Sequence, residues 1–400
     1  MKTKLITAFF ATIAASGLIS CESDESGKST VSPNDFTTIP LTDGTRAQVE
    51  NERSFGFSLF RTHVAASQEN EALSPLSVYM TLAMTANCEE NSPEALLAIL
   101  GSDGGSQSIK DINALCASLL TSLPKVDNQT ICKFANSLWS GASLPFSPDA
   151  LAILQNDFNA DLVKQSPAGT NGMDAINNWV SNATNRMIPQ ILKNPLDGEI
   201  AWINATYFNG KWSEPFEKAL TTAGTFNNAA GTTSITEFMN KVETLSYFED
   251  ENLQLVSLPY GNGNFVMDVI LPTEKSDIVS VMEGLTPESY REILKYSQYT
   301  DVTLMLPKFE LTCSTDLMDT LTKMGYTPSP QATVKLGSLT HGVNIKVEEE
   351  GTVAAAATIV EGTSGNWFDK VTMNCNHPFA FIIREVSTDA VLYIGRIVKF

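Results

Sequence analysis

Near its C-terminus the chain reads Glu348-Glu349-Glu350-Gly351-Thr352-Val353-Ala354-Ala355-Ala356-Ala357-Thr358. This stretch carries two opposed conformational preferences. Its four consecutive alanines favour a helix, because alanine has the highest helix propensity. The β-branched residues Val353 and Thr358 favour a strand instead, and Gly351 provides a flexible point in the backbone. Two alternatives follow from the stretch alone, namely a short surface helix with an acidic start and a strand.

The strand alternative has a specific consequence for the side chains. Alternate residues of a strand point to opposite sides, so one side would carry Thr352, Ala354, Ala356 and Thr358. All four side chains are small and uncharged. A strand that enters between two strands of a packed sheet needs such a face, because a large or charged side chain would be stopped by the core below.

The composition bounds the class of protein. A net charge of −19 over 400 residues, with no visible basic patch, argues against nucleic-acid binding. The hydrophobic fraction of 43% is enough for a large core, organised as one large domain or two ordinary ones.

The first 20 residues have the pattern of a targeting segment. Lys2 and Lys4 precede an apolar run over residues 5–18, which is too short to span a bilayer. The following Leu18-Ile19-Ser20-Cys21 resembles the bacterial lipobox, which implies cleavage before Cys21 and lipid attachment to its thiol. A plain secretory cleavage site is the alternative.

Residues 1–20 are therefore predicted to be a lipoprotein signal peptide, and residues 21–46 a flexible tether rich in Ser, Thr, Asp and Pro. The acyl chains would hold the protein on a membrane. Acidic residues after Cys21 resemble the surface-export signal of some bacterial lineages. The expected location is the cell envelope, as an outer-membrane lipoprotein exposed at the surface.

The cysteines and histidines do not indicate a metal site or a cofactor. Without Cys21, five of the six cysteines remain, with no C-x-x-C spacing, and the odd count leaves at least one unpaired. We expect mostly buried free thiols. The three histidines have no metal-ligand spacing.

Hydrophobic periodicity and turn residues predict helices early and strands late. The predicted helices cover 49–67, a buried helix that Ser74 caps ahead of Pro75, 93–101, 109–120, 148–156, 172–182 and 316–324. The predicted strands cover 200–208, 253–259, 265–271 and 302–306, followed by a C-terminal hairpin over 379–394. Helices first and strands later in one long domain indicate an α+β fold with a large sheet.

Seven blocks of this chain, in order, resemble motifs of the serpin family. They are Asn70–Ser77 with Ser74-Pro75-Leu76-Ser77; Ile176–Val180 followed by Thr184-Asn185; Asn204–Trp212 with Pro215-Phe216; Leu306–Phe309; Leu321–Gly325; Glu349–Thr358; and His377–Phe379 through Gly395-Arg396. The resemblance covers roughly residues 47–400. It implies the serpin fold, in which helices pack on a large central mixed β-sheet with further sheets, and a reactive-centre loop at about 350–370 is exposed.

The resemblance also implies a mechanism. A serine or cysteine protease cuts the loop and forms an acyl-enzyme, the freed hinge inserts as a new central strand, and the trapped protease is distorted. The matching hinge residues are Glu349, Gly351, Thr352, Val353, Ala354, Ala355, Ala356, Ala357 and Thr358. Val353 stands where many family members carry Glu. Because that side faces outward in the family, we expect Val353 to be tolerated.

Further residues match a polar latch where the family's main sheet opens. By resemblance these are Ser74, Ser77, Asn204 and His341, together with Trp212 at the top of the sheet, where insertion begins. Each has a simpler alternative: an ordinary helix cap for Ser74, a surface or core histidine for His341, and core packing for Trp212.

Two ways of counting along the loop predict different scissile bonds. Counting on from Gly351 places the cut after Gly365, and counting back from His377-Pro378 places it after Trp367. The candidates are Gly365, Asn366, Trp367 and Phe368. Small residues before the first cut suit elastase-like or subtilisin-like proteases, and an aromatic residue suits chymotrypsin-like or papain-like ones.

Three classes of function compete at this point. The first is a protease inhibitor, expected to be a monomer. The second is a non-inhibitory serpin-fold binding or carrier protein, which a Pro or a charge in the hinge would favour; neither occurs between Thr352 and Val360. The third is an enzyme, for which the chain has no G-x-S-x-G or H-E-x-x-H motif.

Overall fold

The structure is a computed structural model that describes residues 34–65, 67–89, 93–102, 106–141, 146–328, 336, 339–351 and 370–400. Within these residues the helices are α1 (Asp43–Val64), α2 (Pro75–Cys88), α3 (Glu94–Ile99), α4 (Ser106–Ser122), α5 (Pro148–Asp157), α6 (Gly169–Ala183), α7 (Ile278–Gly284), α8 (Pro287–Tyr296) and α9 (Met318–Lys323). A short 3-10 helix covers Lys218–Leu220.

The strands begin near the N-terminus and become dense after residue 200. They are β1 (Glu71–Leu73), β2 (Thr130–Ser140), β3 (Ala160–Val163), β4 (Ile200–Gly210), β5 (Thr222–Asn227), β6 (Thr233–Glu249), β7 (Leu253–Tyr260), β8 (Phe265–Pro272), β9 (Gln298–Pro307), β10 (Phe309–Asp316), β11 (Thr340–Val347), β12 (Val371–Asn374), β13 (Phe379–Glu385) and β14 (Val391–Ile397).

These strands form three sheets. A nine-stranded sheet has the order β1-β14-β13-β8-β7-β6-β9-β12, with β5 paired to β6. It is mixed, because β12 runs parallel to β9 while the other neighbours are antiparallel. A three-stranded sheet has the order β3-β2-β4, and β10 pairs with β11 in a two-stranded sheet. Helices packed on sheets of both parallel and antiparallel strands confirm the predicted α+β class.

Helix α2 is the centre of the core. Every residue of α2 except Asn87 is buried, as predicted for a segment that is apolar almost all round. The helix packs against α1, β4 and β14. Its first turn therefore lies beneath strand β4 and sets the position of the polar residues described below.

The C-terminal hairpin is confirmed as part of the core. All residues of β13 and β14 are buried, and Asp389 in the connecting turn has a positive φ of 60°.

The prediction of free thiols is also confirmed. Cys88, Cys116, Cys132 and Cys375 are buried, and Cys313 is half-buried.

One sequence prediction was wrong, and another was confirmed only in part. We predicted helices in the first part of the chain and strands in the later part, but strands β1, β2 and β3 lie among the early helices. Strand β2 contains Lys133, Asn136 and Ser137 and has no clear apolar alternation; it is held by ladders to β3 and β4 on its two sides. Tertiary pairing thus overrides a weak local pattern.

The prediction for the start of α2 is confirmed in position, because Ser74 is the N-cap residue and Pro75 follows in the first turn, but not in its hydrogen bond. Ser74 occupies the N-cap position, but its side chain makes no capping hydrogen bond. Its ψ is 94°, whereas ψ is 167° at Thr42 and 150° at Ser147, both of which cap their helices through the side chain. The Ser74 backbone amide donates instead to His341 Nε2, as described below.

Candidate functional site

Two sheet edges lie side by side without a ladder between them. Strand β4 is the edge of the three-stranded sheet and β11 is an edge of the two-stranded sheet. The strands are in contact, yet among the described residues no β-bridge joins β4 to β11. We call this boundary the sheet gap. Because each edge can accept one further strand, the gap is a place where an extended segment can pair on both sides.

A tight turn closes the top of the sheet gap. Strand β11 ends at Val347, and the amides of Glu348 and Gly351 donate to each other's carbonyl oxygens at 3.2 and 3.1 Å. Gly351 also bridges Lys211, just beyond the end of β4. We call residues 348–351 the hinge turn. It ties the start of the predicted reactive-centre loop to both edges of the gap.

Gly351 cannot be replaced without strain. Its φ is +109°, and a Cβ atom at this position would lie 2.3 Å from the carbonyl oxygen of Gly210. Only glycine adopts this conformation and permits this close backbone approach. The chain reversal at the hinge turn is therefore determined by a single residue of the predicted hinge.

Trp212 holds the hinge turn from beneath. Its indole Nε1 donates to the carbonyl of Glu348 at 2.9 Å, and its backbone amide donates to the carbonyl of Glu350 at 3.2 Å. The indole ring stacks on Tyr260 with ring centroids 4.3 Å apart. Trp212 thus has a binding role toward the hinge turn as well as a packing role.

Each glutamate of the hinge turn has a lysine partner. Lys346 Nζ lies 2.7 Å from Glu348, Lys308 Nζ lies 3.3 Å from Glu349, and Lys218 Nζ lies 2.7 Å from Glu350. Three consecutive carboxylates would repel one another without these cations. The ion pairs therefore stabilise the turn in its observed conformation.

Glu349 is the most buried of the three carboxylates. Its side chain is 8% exposed, and it accepts a hydrogen bond from Thr221 Oγ1 at 2.9 Å. Burial acts to raise the pKa of Glu349, but hydrogen bonds from its own amide, Thr221 and Lys308 outweigh burial and lower the pKa. Glu349 is therefore ionised and held in place at neutral pH.

A second polar cluster lies under the sheet gap, at the start of α2. Ser77 Oγ donates to Asn204 Oδ1 in β4, and the amide of Ser74 donates to His341 Nε2 in β11 at 2.9 Å. All four residues are at most 5% exposed. We call this set the latch. One helix end thus bonds to the two edges of the gap, which is where the resemblance places these residues.

The latch extends to the next strand through Asn136. Asn204 Nδ2 donates to Asn136 Oδ1 at 2.5 Å, and Asn136 Nδ2 donates to the carbonyl of Phe158 at 2.7 Å. One group is left over, because Ser74 Oγ is buried without a hydrogen-bond partner. The latch is consequently a chain of neutral hydrogen bonds with one unsatisfied hydroxyl.

The pKa of His341 is lowered from 6.5 to about 3, because burial disfavours the imidazolium and the nearby His63 adds to this effect. The neutral ring accepts the Ser74 hydrogen bond at Nε2. Protonation at Nε2 would remove this acceptor. The latch therefore depends on a neutral His341.

The remaining predicted site residues lie outside the described residues. These are Thr352, Val353, Ala354, Ala355, Ala356, Ala357 and Thr358 of the hinge, the scissile candidates Gly365, Asn366, Trp367 and Phe368, and the acylation candidate Cys21. The described part of the chain contains no group of His, Cys, Asp or Glu side chains suited to a metal ion. In that same part, no helix is both long and apolar enough to cross a membrane.

Sequence reasoning missed the partners of the hinge turn. Lys218, Thr221 and Lys308 are separated from residues 348–351 by tens of residues or more, and no local pattern links them. Lys308 falls inside the quoted Leu306–Phe309 block, so the motif contained a signal that was not interpreted. Asn136 of the latch had no signal, because it lies in the strand that the sequence pattern did not predict.

Comparison with known proteins agrees with this arrangement. Iripin-3 of Ixodes ricinus is 27% identical over 98% of this chain and 99% of its own length. The native state of the thermophilic serpin Tengpin superposes with a TM-score of 0.81 at 29% sequence identity, covering 92% of this chain and 98% of Tengpin. The latent state of Tengpin gives a TM-score of 0.75 at 27% identity, covering 91% of this chain and 100% of Tengpin. The described fold is therefore closer to the native form.

Human thyroxine-binding globulin shares the fold, with a TM-score of 0.81 at 21% identity, covering 89% of this chain and 99% of that one. The family model described as "Serpin (serine protease inhibitor)" matches residues 50–400, which include the hinge turn, Trp212 and the latch. On this match the chain belongs to the serpin family, whose members are generally inhibitors of proteases rather than catalysts.

Proposed function

We propose that this protein inhibits serine or cysteine endopeptidases as a suicide substrate. The observation that carries the proposal is the sheet gap, an unpaired boundary between β4 and β11 whose top is closed by the start of the loop. A protease cuts the loop and becomes attached as an acyl-enzyme. The freed segment after Gly351 then enters the gap as a new strand.

The geometry of the hinge turn supports insertion at this place. The chain reverses between Glu348 and Gly351, so a segment that folds back from Gly351 into the gap runs antiparallel to β11. It can form ladders with both β4 and β11. On the order of ten new hydrogen bonds, each worth about 1 kcal/mol net, would favour the inserted state. The small face of Thr352, Ala354, Ala356 and Thr358 can pass over the core.

The latch opposes premature opening of the gap. Separating β4 from β11 pulls Asn204 away from His341, and α2 is bonded to both through Ser77 and Ser74. Insertion must break or rearrange at least one of these buried hydrogen bonds. This cost keeps the uncut protein in its uninserted form until cleavage frees the loop.

The test is incubation of the purified protein with a panel of elastase-like, subtilisin-like, chymotrypsin-like, papain-like and trypsin-like proteases. We expect an SDS-stable complex with at least one enzyme of the first four classes. Cleavage of the loop by every enzyme without any complex would reject inhibition. It would favour a non-inhibitory binding function, as in thyroxine-binding globulin, which was solved in complex with thyroxine.

Mass spectrometry of the released C-terminal fragment identifies the scissile bond. We favour the cut after Gly365, because the distance from Gly351 governs how far the protease is carried. A fragment that begins at Asn366 supports this cut, and one that begins at Phe368 supports the cut after Trp367. A fragment that begins at Val371, together with a stable trypsin complex, would contradict both.

We also propose that the protein is a lipoprotein at the surface of the bacterial outer membrane, acting on external proteases. The support is the lipobox-like Leu18-Ile19-Ser20-Cys21 and the acidic residues Glu22, Asp24 and Glu25. Replacing Cys21 by Ser removes the thiol that carries the lipid. We expect Cys21→Ser to move the protein from the membrane fraction to the soluble fraction, and continued membrane binding would reject the lipid anchor.

A further inference from the structure

A cavity of about 370 Å³ lies outside the inhibitory machinery, where β14 ends beside α7 and the start of β13. Its lining is mainly apolar and includes Pro272, Ile278, Val279, Pro378 and Val398. Cavities of this size and character hold small molecules in many proteins. None of the hinge-turn or latch residues lines it, so its use does not depend on protease trapping.

One cationic side chain, Arg396, lines this mainly apolar cavity without an ion-pair partner among the described residues. Arg396 is 3% exposed, its Nη2 donates to the carbonyl of Ser67 at 2.5 Å, and its Nε has no hydrogen-bond partner. Among the ion pairs between described residues, none includes Arg396. A buried guanidinium in this state lacks the negative charge that normally accompanies it.

The nearest candidate carboxylate is engaged elsewhere. Glu71 is the cross-strand neighbour of Arg396 in the pairing of β1 with β14. Its carboxylate instead accepts from Ser67 Oγ at 2.8 Å and lies 3.6 Å from His63 Nε2. Burial lowers the pKa of Arg396, and the charge of Glu71 compensates only in part. The guanidinium thus lines the cavity as a buried cation with an unused Nε donor.

The other polar groups around the cavity do not supply that anion. His377 already uses both ring nitrogens, with Nε2 3.0 Å from the carbonyl of Pro272 and Nδ1 3.1 Å from Asn376 Oδ1. Asp277 is exposed at the cavity, and its carboxylate accepts from the Ser280 amide at 2.8 Å. Its negative charge repels any anion in the cavity, and it disfavours most strongly a ligand with more than one anionic group.

We propose that this cavity binds a small amphipathic monocarboxylate, a molecule with one carboxylate head and a short hydrocarbon tail. The carboxylate would pair with Arg396, whose planar guanidinium suits a carboxylate. The tail would cover the apolar side chains, which include Val279, a residue that is 53% exposed. The site is separate from the proposed inhibitory function.

Decanoate is a suitable probe, used below its micelle concentration with the full-length Cys21→Ser protein, which carries no acyl chain on that residue. Isothermal titration calorimetry should show saturable 1:1 binding of decanoate. Decanol, which has the same tail without the charge, should bind at least 10-fold more weakly. Failure of decanoate to saturate, or equal binding of decanol, would overturn the proposal.

Two variants locate the site. Val279→Trp fills the cavity without altering Arg396 and should weaken decanoate binding at least 10-fold. Val242→Trp is the matched control, because Val242 is 59% exposed on β6 and does not line the cavity; it should bind as the parent does. Equal binding by the two variants would place the ligand elsewhere and overturn the assignment.

Arg396→Met tests the charge. The variant keeps an unbranched side chain of similar length and should lose the preference for decanoate over decanol. A preserved preference in a folded variant would reject the role of Arg396. If Arg396→Met does not fold, the decanol comparison and the Val279→Trp pair still decide the question.

Discussion

The two ends of the sheet gap are held by different physical interactions. At the hinge turn, three glutamates pair with three lysines, and most of these side chains are partly exposed to solvent. At the latch, four buried neutral residues bond to one another beneath the strands. Exposed ion pairs exchange readily with water and contribute about 0–1 kcal/mol each. A buried hydrogen-bonding group left unpaired costs about 1–3 kcal/mol.

This difference fits the proposed sequence of events. The hinge turn has to let the loop move as soon as the loop is cut, and partly hydrated ion pairs can break with little penalty. The latch has to keep the strands together until then, and a buried network does so because opening exposes it all at once. The predictions below test this division from the largest expected effect to the smallest.

The largest effect is expected from a charge on the inserting face of the hinge. Thr352→Arg would have to bury a guanidinium during insertion, which costs several kcal/mol. The loop should still be cut, but the variant should become a substrate and form no SDS-stable complex. Val353→Arg is the matched control, because the neighbouring residue points to the outer side; it should trap protease nearly as well as the parent.

The two hinge variants give clear contrary outcomes. Trapping by Thr352→Arg at the stoichiometry of the parent would reject insertion. Equal loss of trapping in both variants would show that a charge at either hinge position prevents trapping. The prediction that Thr352 faces the core and Val353 faces outward in the inserted strand would then be wrong. Either result can be read from band densities on one SDS gel.

Cleavage of the loop should raise the melting temperature strongly. About ten added hydrogen bonds at about 1 kcal/mol each, with a shift of about 2 °C per kcal/mol for a large domain, predict a rise of about 20 °C. Differential scanning calorimetry of intact and loop-cleaved protein measures it. A cleaved form that melts at or below the intact form would favour the non-inhibitory class, since the gap would then not take up the strand.

The latch should weaken in acid because His341 must be neutral to accept from Ser74. Its pKa is about 3 in the folded protein and 6.5 as the reference value. The unfolded chain therefore binds the proton first, and stability falls as pH drops below about 6.5. At pH 5 the loss is about 2 kcal/mol, at about 1.4 kcal/mol per pH unit. His341→Gln keeps an acceptor that does not titrate and should lack this loss.

A buried carboxyl acts in the opposite direction over part of this range. Burial raises the pKa of Glu52 from 4.5 to about 8, against the lowering effects of the Val391 amide and Arg53. The folded state keeps this proton while the unfolded state loses it, so this group makes stability fall as pH rises from 4.5 to 8. Between pH 4.5 and pH 6.5, His341 makes the free energy of unfolding rise with pH and Glu52 makes it fall by the same amount, so the two effects cancel in the total stability. The measured quantity is therefore the difference between parent and His341→Gln in urea unfolding at each pH. A difference that stays constant from pH 7 to pH 5 would contradict the low pKa of His341.

Much of the fold could be predicted from local pattern. The all-round apolar α2 and the C-terminal hairpin carry signals strong enough to be read one segment at a time. Strand β6 was missed because its 17 residues mix charged and apolar side chains, and its stability comes from ladders to β5, β7 and β9. Such pairing is a property of the assembled sheet and leaves little trace in the strand itself.

The candidate site was predictable only in part, and for a related reason. The hinge stretch has its own pattern of small residues, so alternation alone suggested insertion. The meeting of Ser77 with Asn204 and of Ser74 with His341 came from family resemblance, since residues 127 and 267 positions apart carry no local signal. Lys218 and Lys346 had neither kind of support, because a lysine on a charged surface is compatible with many positions, whereas Lys308 lay in a family block but was not connected to the hinge.

The smallest effects should separate the ion pairs of the hinge turn by burial. Lys308→Met removes the cation next to Glu349, whose side chain is 8% exposed, and leaves that carboxylate with Thr221 as its remaining side-chain partner. We expect a loss of about 1–2 kcal/mol in urea unfolding, because a mostly buried charge is then uncompensated. Lys218→Met removes the cation next to Glu350, but the Lys218 side chain is 69% exposed. Water and salt replace such a cation, so no measurable change in stability is expected.

Ionic strength sharpens this last comparison. One molar salt screens exposed charges within about 3 Å, but it cannot reach Glu349 as easily, so the loss in Lys308→Met should largely persist at high salt. Both variants should still trap protease, since the hinge turn is released after the loop is cut. If Lys218→Met is destabilised as much as Lys308→Met, or if salt removes the loss in Lys308→Met completely, then burial of Glu349 does not distinguish the two pairs. In that case all the surface charges of the hinge turn would stabilise it together. The hinge turn and the neutral latch would then differ in where they lie along the sheet gap, and not in how far their polar groups are exposed to water.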